Sequence, residues 1–181
     1  DRRRRDAGAV SVAAAQGRLR DAGHLLRERS ANDVHDELAD VLDAWSRADS
    51  KWQRALAAEL PAATGFSDAV VREGLARGLA RYGGDAFRAL VRAELGDAER
   101  LDATRGARIE GFETTAAVLA GAIPLPSFVA VLAPLALRSP VLVKLAAHAP
   151  VTVPLLVRSL AERDPLLGAC VEIADFRRDD T

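Results

Sequence analysis

The sequence predicts an α/β fold, with a helical subdomain over residues 1–112 followed over residues 113–181 by the first βαβαβ part of a parallel-sheet domain. Three observations predict it. Up to about residue 112, apolar residues recur at helical spacing with Arg, Asp and Glu between them. From residue 114 to residue 137 no side chain is charged, and proline becomes frequent. Three short apolar runs, at residues 114–120, 140–144 and 169–174, then alternate with helical patterns. Continuous apolar strands separated by helices are what a parallel sheet covered on both faces requires.

The helices are justified in order. Residues 7–29 carry Val10, Ala13, Ala14, Leu19, Leu25 and Leu26 among charges. Asn32 or Asp33 is placed to cap a second helix, whose Val34, Leu38, Val41, Leu42 and Trp45 form one apolar stripe opposed by Asp36, Glu37, Asp40 and Asp43. A third helix follows Ser50 and is expected to stop at Pro61. Ser67 and Asp68 open a fourth, with Val70, Val71, Leu75 and Leu79 inward and Gly83-Gly84 at its end. Asp85 begins a fifth, through Phe87, Leu90, Val91 and Leu95, closed by Gly96. In the second half, Ser127 is expected to cap a helix holding Phe128, Val131, Leu132 and Leu135. Another helix runs over residues 151–163, and residues 169–174 form the third strand.

Composition excludes several classes. With 49% hydrophobic and 28% charged residues, the chain has a core to bury, and a net charge of -1 gives no attraction to nucleic acid or anionic membrane. Arg2, Arg3, Arg4 and Arg5 are the only basic run, and Asp1 and Asp6 flank it. One cysteine precludes a disulfide framework and fits a reducing, cytoplasmic compartment. The N-terminus carries no signal-peptide pattern, and both ends read as cut from a longer protein. The uncharged residues 114–137 are long enough to span a bilayer, but Gly121, Pro124, Pro126 and Pro134 would break a single spanning helix repeatedly. No membrane span is expected.

Few residues stand out chemically. Lys144 ends the second apolar run, and in open parallel sheets ligands bind beyond the carboxyl ends of the strands. An ammonium there suits a phosphate or a ribose hydroxyl, and equally suits a lysine whose stem packs while its head reaches water. Gly121 closes the first run and leads toward a helix N-terminus, a place where a ligand can approach backbone N–H groups, although a plain turn glycine reads the same way. Cys170 lies within the third run among apolar neighbours and is read as structural. His24, His35 and His148 lack metal-ligand spacing, so no metal is expected. Asp40, Asp43, Glu94 and Asp97 read as solvated carboxylates on helical faces.

Residues 118–124, Val-Leu-Ala-Gly-Ala-Ile-Pro, carry a family resemblance together with residues 132–137, Val141-Leu142-Val143-Lys144, Pro150, Leu156 and residues 159–165. In order and spacing they resemble the start of the cofactor domain of the aldehyde dehydrogenase superfamily, and within it the acyl-CoA reductase (LuxC) family. Leu60-Pro61, Gly65-Phe66-Ser67 and Gly74-Leu75 resemble its upstream region more weakly. The resemblance implies a Rossmann-like sheet, incomplete here, in an oxidoreductase that reduces a fatty acyl-CoA or acyl-protein thioester to an aldehyde. A cysteine beyond Thr181 would take the acyl group, and NADPH, or NADH, would supply the hydride. It further implies cofactor contacts from Lys144, from Leu119, Ala120, Gly121 and Ala122, and from Ala146 and Ala147. Acyl-transferring or acyl-activating enzymes as partners, and a homo-oligomer, belong to the same expectation. Two departures matter. Ala122 stands where the family has the asparagine that helps hold the developing oxyanion, and Leu145, Ala146 and Ala147 replace the polar residues that follow the lysine. The first departure favours a rival expectation, a non-catalytic interaction protein on the same fold.

Overall fold

The computed structural model describes residues 12–103, 105–106, 108–119, 121, 123–145 and 151–174. The elements are α1 (Val12–Glu28), α2 (Ala31–Ser46), α3 (Lys51–Thr64), α4 (Asp68–Leu79), α5 (Gly84–Leu95), a 3-10 turn (Ala98–Leu101), β1 (Thr115–Val118), α6 (Leu125–Ala136), β2 (Val141–Lys144), α7 (Thr152–Arg163), α8 (Pro165–Ala169) and β3 (Val171–Ala174). The three strands form one parallel sheet in the order β1-β2-β3, with α6 on the first crossover and α7 and α8 on the second. The fold is mixed α/β, mostly helical, as the alternation of runs predicts.

Burial of β2 on both faces explains its unbroken apolar sequence. Val141 and Val143 belong to the main core with Phe128, Leu132 and Leu135 of α6 and Leu156 and Leu160 of α7. Leu142 points to the opposite face, where Ala15 and Leu19 of α1 cover it. The first helix therefore lies against the last-formed part of the sheet, and Arg18 pairs with Glu172 of β3 at 2.5 Å. α1 buries Ala15, Leu19, Ala22, Gly23 and Leu26, a stripe rotated from the expected one: Ala13, Ala14 and Leu25 are exposed, and Val10 lies outside the described residues. Gly23 explains the rotation, because a Cβ there would come within 2.6 Å of the Pro140 ring, so only glycine lets α1 press onto the entrance of β2.

The stripe of α2 is as expected, with Val34, Leu38, Val41, Leu42 and Trp45 all buried. Its cap is Ser30 rather than Asn32 or Asp33: Ser30 is extended, and its Oγ accepts from the Asp33 N–H at 3.1 Å. His35, also on the inner side, donates from Nε2 to the Ala136 carbonyl at 2.7 Å and packs edge-on against Phe87, and burial holds its pKa below the usual value.

Four further expectations are corrected. α3 does not stop at Pro61 but continues to Thr64 and ends on Gly65 at φ 76°. Proline forfeits one N–H in the last turn, which the Thr64 hydroxyl on the Leu60 carbonyl and the Gly65 N–H on the Pro61 carbonyl help to offset. α4 ends at Leu79, well before Gly83-Gly84, and its Val70 faces outward, as does Leu90 of α5. α6 begins at Leu125, so Ser127 sits inside its first turn and caps nothing, while Pro126 occupies the early position where a missing N–H costs least. The third run splits: residues 165–169 form α8, capped by Asp164 accepting from the Leu166 N–H at 2.8 Å, and the strand starts only at Val171.

No helix among the described residues is long and apolar enough to cross a membrane. The change of character near residue 113 is a change from helix-only to alternating topology, yet a single core of buried residues runs from α2 through α7 into β2.

Candidate functional site

The carboxyl edge of the sheet brings three strand ends abreast. In register, Val118 of β1 lies beside Lys144 of β2, and Lys144 beside Ala174 of β3. Lys144 thus terminates the central strand, half-buried, with its carbonyl accepting from the Leu119 N–H at 3.0 Å. The pleat sends its side chain to the face of Leu142, the face that α1 covers lower down. Gly121 follows at φ 84°, in the left-handed region that favours glycine, and is exposed with open space where a Cβ would stand. α6 then starts with no side chain capping its N-terminus. Leu119 therefore lies against Lys144 along this edge, and Gly121 follows two residues later. Ala120, Ala122, Ala146 and Ala147 lie outside the described residues.

A second feature adjoins this edge, and sequence reasoning missed it. Phe66, Val70 and Ile123 are 48%, 60% and 64% exposed, unusual for large apolar side chains. With Leu60, Val71 and Leu125 they line an apolar groove of about 160 Å³. The groove is formed by α3, the turn after it, α4, and the loop that follows Gly121. Reading Val70 as inward hid it. The available signal was Phe66, a large aromatic between Gly65 and Ser67 in a turn.

The remaining candidates have structural occupations. Asp40 pairs with Arg163 at 2.7 Å, Asp43 accepts from the Gly84 N–H at 2.7 Å, and Asp97 caps the 3-10 turn through the Glu99 N–H at 2.9 Å. Glu94 is exposed. His24 lies exposed on α1 whereas His35 is buried on α2, and His148 lies outside the described residues, as do Arg2, Arg3, Arg4 and Arg5. Among the described residues, no three His, Cys, Asp or Glu side chains gather as metal ligands.

Cys170 is fully buried in the turn between α8 and β3, not within the strand as expected, and its carbonyl accepts from the Val141 N–H at 2.8 Å. It stands at the amino end of the sheet, opposite Lys144. Burial pushes its thiol up to about 12, with Asp164 adding to the rise and Arg27 opposing it. A thiol reagent at pH 8 should therefore leave the folded chain unmodified and label it stoichiometrically in denaturant; rapid labelling of the native chain would contradict the burial. The same shift predicts that stability is unaffected by this group below about pH 9 and falls between about pH 9 and 12, where only the unfolded thiol gives up its proton.

No protein-family model matches this chain, and no curated protein is significantly similar to it.

Proposed function

We propose that this chain is the front portion of an NAD(P)H-dependent reductase of fatty acyl thioesters, with the carboxyl edge of the sheet as the cofactor side. The observation that carries the reading is the neighbourhood of Lys144 and the strand-to-helix turn at Gly121 on a parallel sheet, where the rule for open α/β sheets expects a ligand. The residues fit a dinucleotide: an ammonium able to donate to a ribose hydroxyl or phosphate, and a glycine turn without a side chain that would obstruct it. When bound, the nicotinamide cofactor supplies hydride. Lys144 would hold the adenosine end, and the backbone at Leu119 and Gly121 would lie beside the cofactor. The groove of Phe66, Val70 and Ile123 suits the acyl chain, because an apolar tail gains most from surfaces that otherwise face water. The acyl-accepting cysteine is not Cys170, which is buried at the wrong end of the sheet; in this reading it belongs to a part of the protein outside these residues. Homo-oligomerisation and acyl-transferring partner enzymes belong to the same proposal.

The experiment separates the two halves of the site in the full-length protein. Lys144→Ala should raise the KM for NADPH about tenfold or more, as loss of a charged hydrogen bond does, and leave the KM for the acyl thioester unchanged. Ile123→Asp should do the reverse. An unchanged cofactor KM in Lys144→Ala removes the lysine from the site.

Ala122 favours a second reading, a non-catalytic protein on the same scaffold, since loss of an oxyanion donor costs on the order of a hundred- to a thousand-fold in turnover. Ala122→Asn distinguishes them: no gain from an inactive background supports the non-enzyme.

A further inference from the structure

Glycine inside a helix is less favourable than alanine, so each one there asks for a reason. α4 holds two, Gly74 and Gly78, which continue the face of Val70 at successive i, i+4 positions. Packing explains Gly78, because a Cβ there would run into the side chain of Leu125, the first residue of α6. Gly74 has no such neighbour: among the described residues nothing stands within 4 Å of the place its Cβ would take. Gly74 instead lines the apolar groove of about 160 Å³, together with Phe66, Val70, Ile123 and Leu125. Order along the helix face gives this groove two unlike ends. Phe66 and Val70, both exposed, flank the amino end of α4. Leu125 closes the other end, seated on Gly78, which lies about 12 Å along the helix axis from Val70.

We infer that the acyl chain lies lengthwise over Gly74, which leaves room for its body, and that Leu125 meets its terminal methyl and so sets the chain length accepted. The identity of the occupant rests on the reductase reading. Each methylene that leaves water for the groove adds to binding while the chain advances over Gly74, and the gain stops where Leu125 already fills the face. A side chain at position 74 would take the same space as the chain. Leu125 and Gly74 thus act in opposite directions on length: trimming the first lengthens the groove, and filling the second shortens it.

The test titrates the 181-residue chain with the butanoyl, hexanoyl, octanoyl and decanoyl thioesters of N-acetylcysteamine, following the Val70 and Ile123 methyl resonances by NMR. Kd should fall about three- to fourfold for each added methylene and then level off once the chain end reaches Leu125. Gly74→Leu, which helix propensity favours, should bring the levelling to a shorter thioester and weaken the longest probe about tenfold, the worth of two methylenes. Leu125→Ala should move the levelling to a longer one. A shift in the stated direction in either folded variant supports the inference. Absence of saturable shifts with every thioester, or a length dependence that neither variant moves, overturns it. Binding is read here without turnover, so failure of the reductase reading shows separately, as an unchanged cofactor KM in Lys144→Ala.

Discussion

Asp102→Ala should lower the free energy of unfolding by about 2–4 kcal/mol, because it strands a buried guanidinium. Arg138 precedes β2 with a side chain only 7% exposed, and its forked nitrogens reach the carbonyls of Arg27, Arg29 and Leu101 as well as Asp102. It is the one described non-glycine residue with positive φ, at 55°, a conformation that the surrounding bonds must hold in place. One side chain thus ties the end of α1, the turn before α2 and the end of the 3-10 turn to the entrance of the central strand. Removing the carboxylate leaves the charge without its counter-ion and the Ala31 N–H without its acceptor. Arg138→Met in the Asp102→Ala background should recover part of the loss, since the unpaired charge is then gone. Urea unfolding of the two single variants and the double variant measures both terms. A loss below about 0.5 kcal/mol for Asp102→Ala, the size of an exposed pair, would show that water already serves the guanidinium.

Trp45→Ala should cost about 3–5 kcal/mol, the range for deleting a large aromatic from a packed core. Trp45 is fully buried where α2 meets α3, α6 and α7, stacked on Trp52 at 6.0 Å and edge-on to Phe128 at 4.9 Å. Its Nε1 donates to Ser159 Oγ at 2.8 Å, and that hydroxyl donates in turn to the Leu156 carbonyl at 2.7 Å. Trp45→Phe keeps most of the volume and loses the donor, so its cost should be about 1–2 kcal/mol, near that of one hydrogen bond plus a small void. Denaturant midpoints give the ranking. Equal costs for Ala and Phe would mean that the hydrogen bond, rather than the packing, dominates.

How far the sequence could be read depends on where the information sits. β2 was legible because a central strand buried on both faces must be apolar at every position, and that is visible without knowing its partners. The stripe of α2 was legible for the analogous reason. Lys144 could be placed at a strand end because the run before it is unambiguous. What failed is decided by single contacts between distant segments. Pro61 is tolerated because Thr64 and Gly65 close the last turn, and the face of α1 is set by the Pro140 ring against Gly23. Cys170 leaves the strand because Asp164 caps a short helix that ends beside it. Arg138 gave no signal at all: one arginine between Leu137 and Ser139 has no periodicity, and its four partners lie between 36 and 111 positions away. The Phe66, Val70 and Ile123 groove was hidden likewise, since no local pattern joins a turn, a helix and a loop.

The reach of α1 across to β3 has a bearing on how the molecule is made. During synthesis the first helix leaves the ribosome long before residues 141–174, and until they follow, Ala15 and Leu19 have no strand to cover. Such distant pairing delays the loop-closure reward and slows folding. The nascent chain must carry an amphipathic helix with its apolar side open to water, and surface of that kind is prone to aggregation until the strands follow.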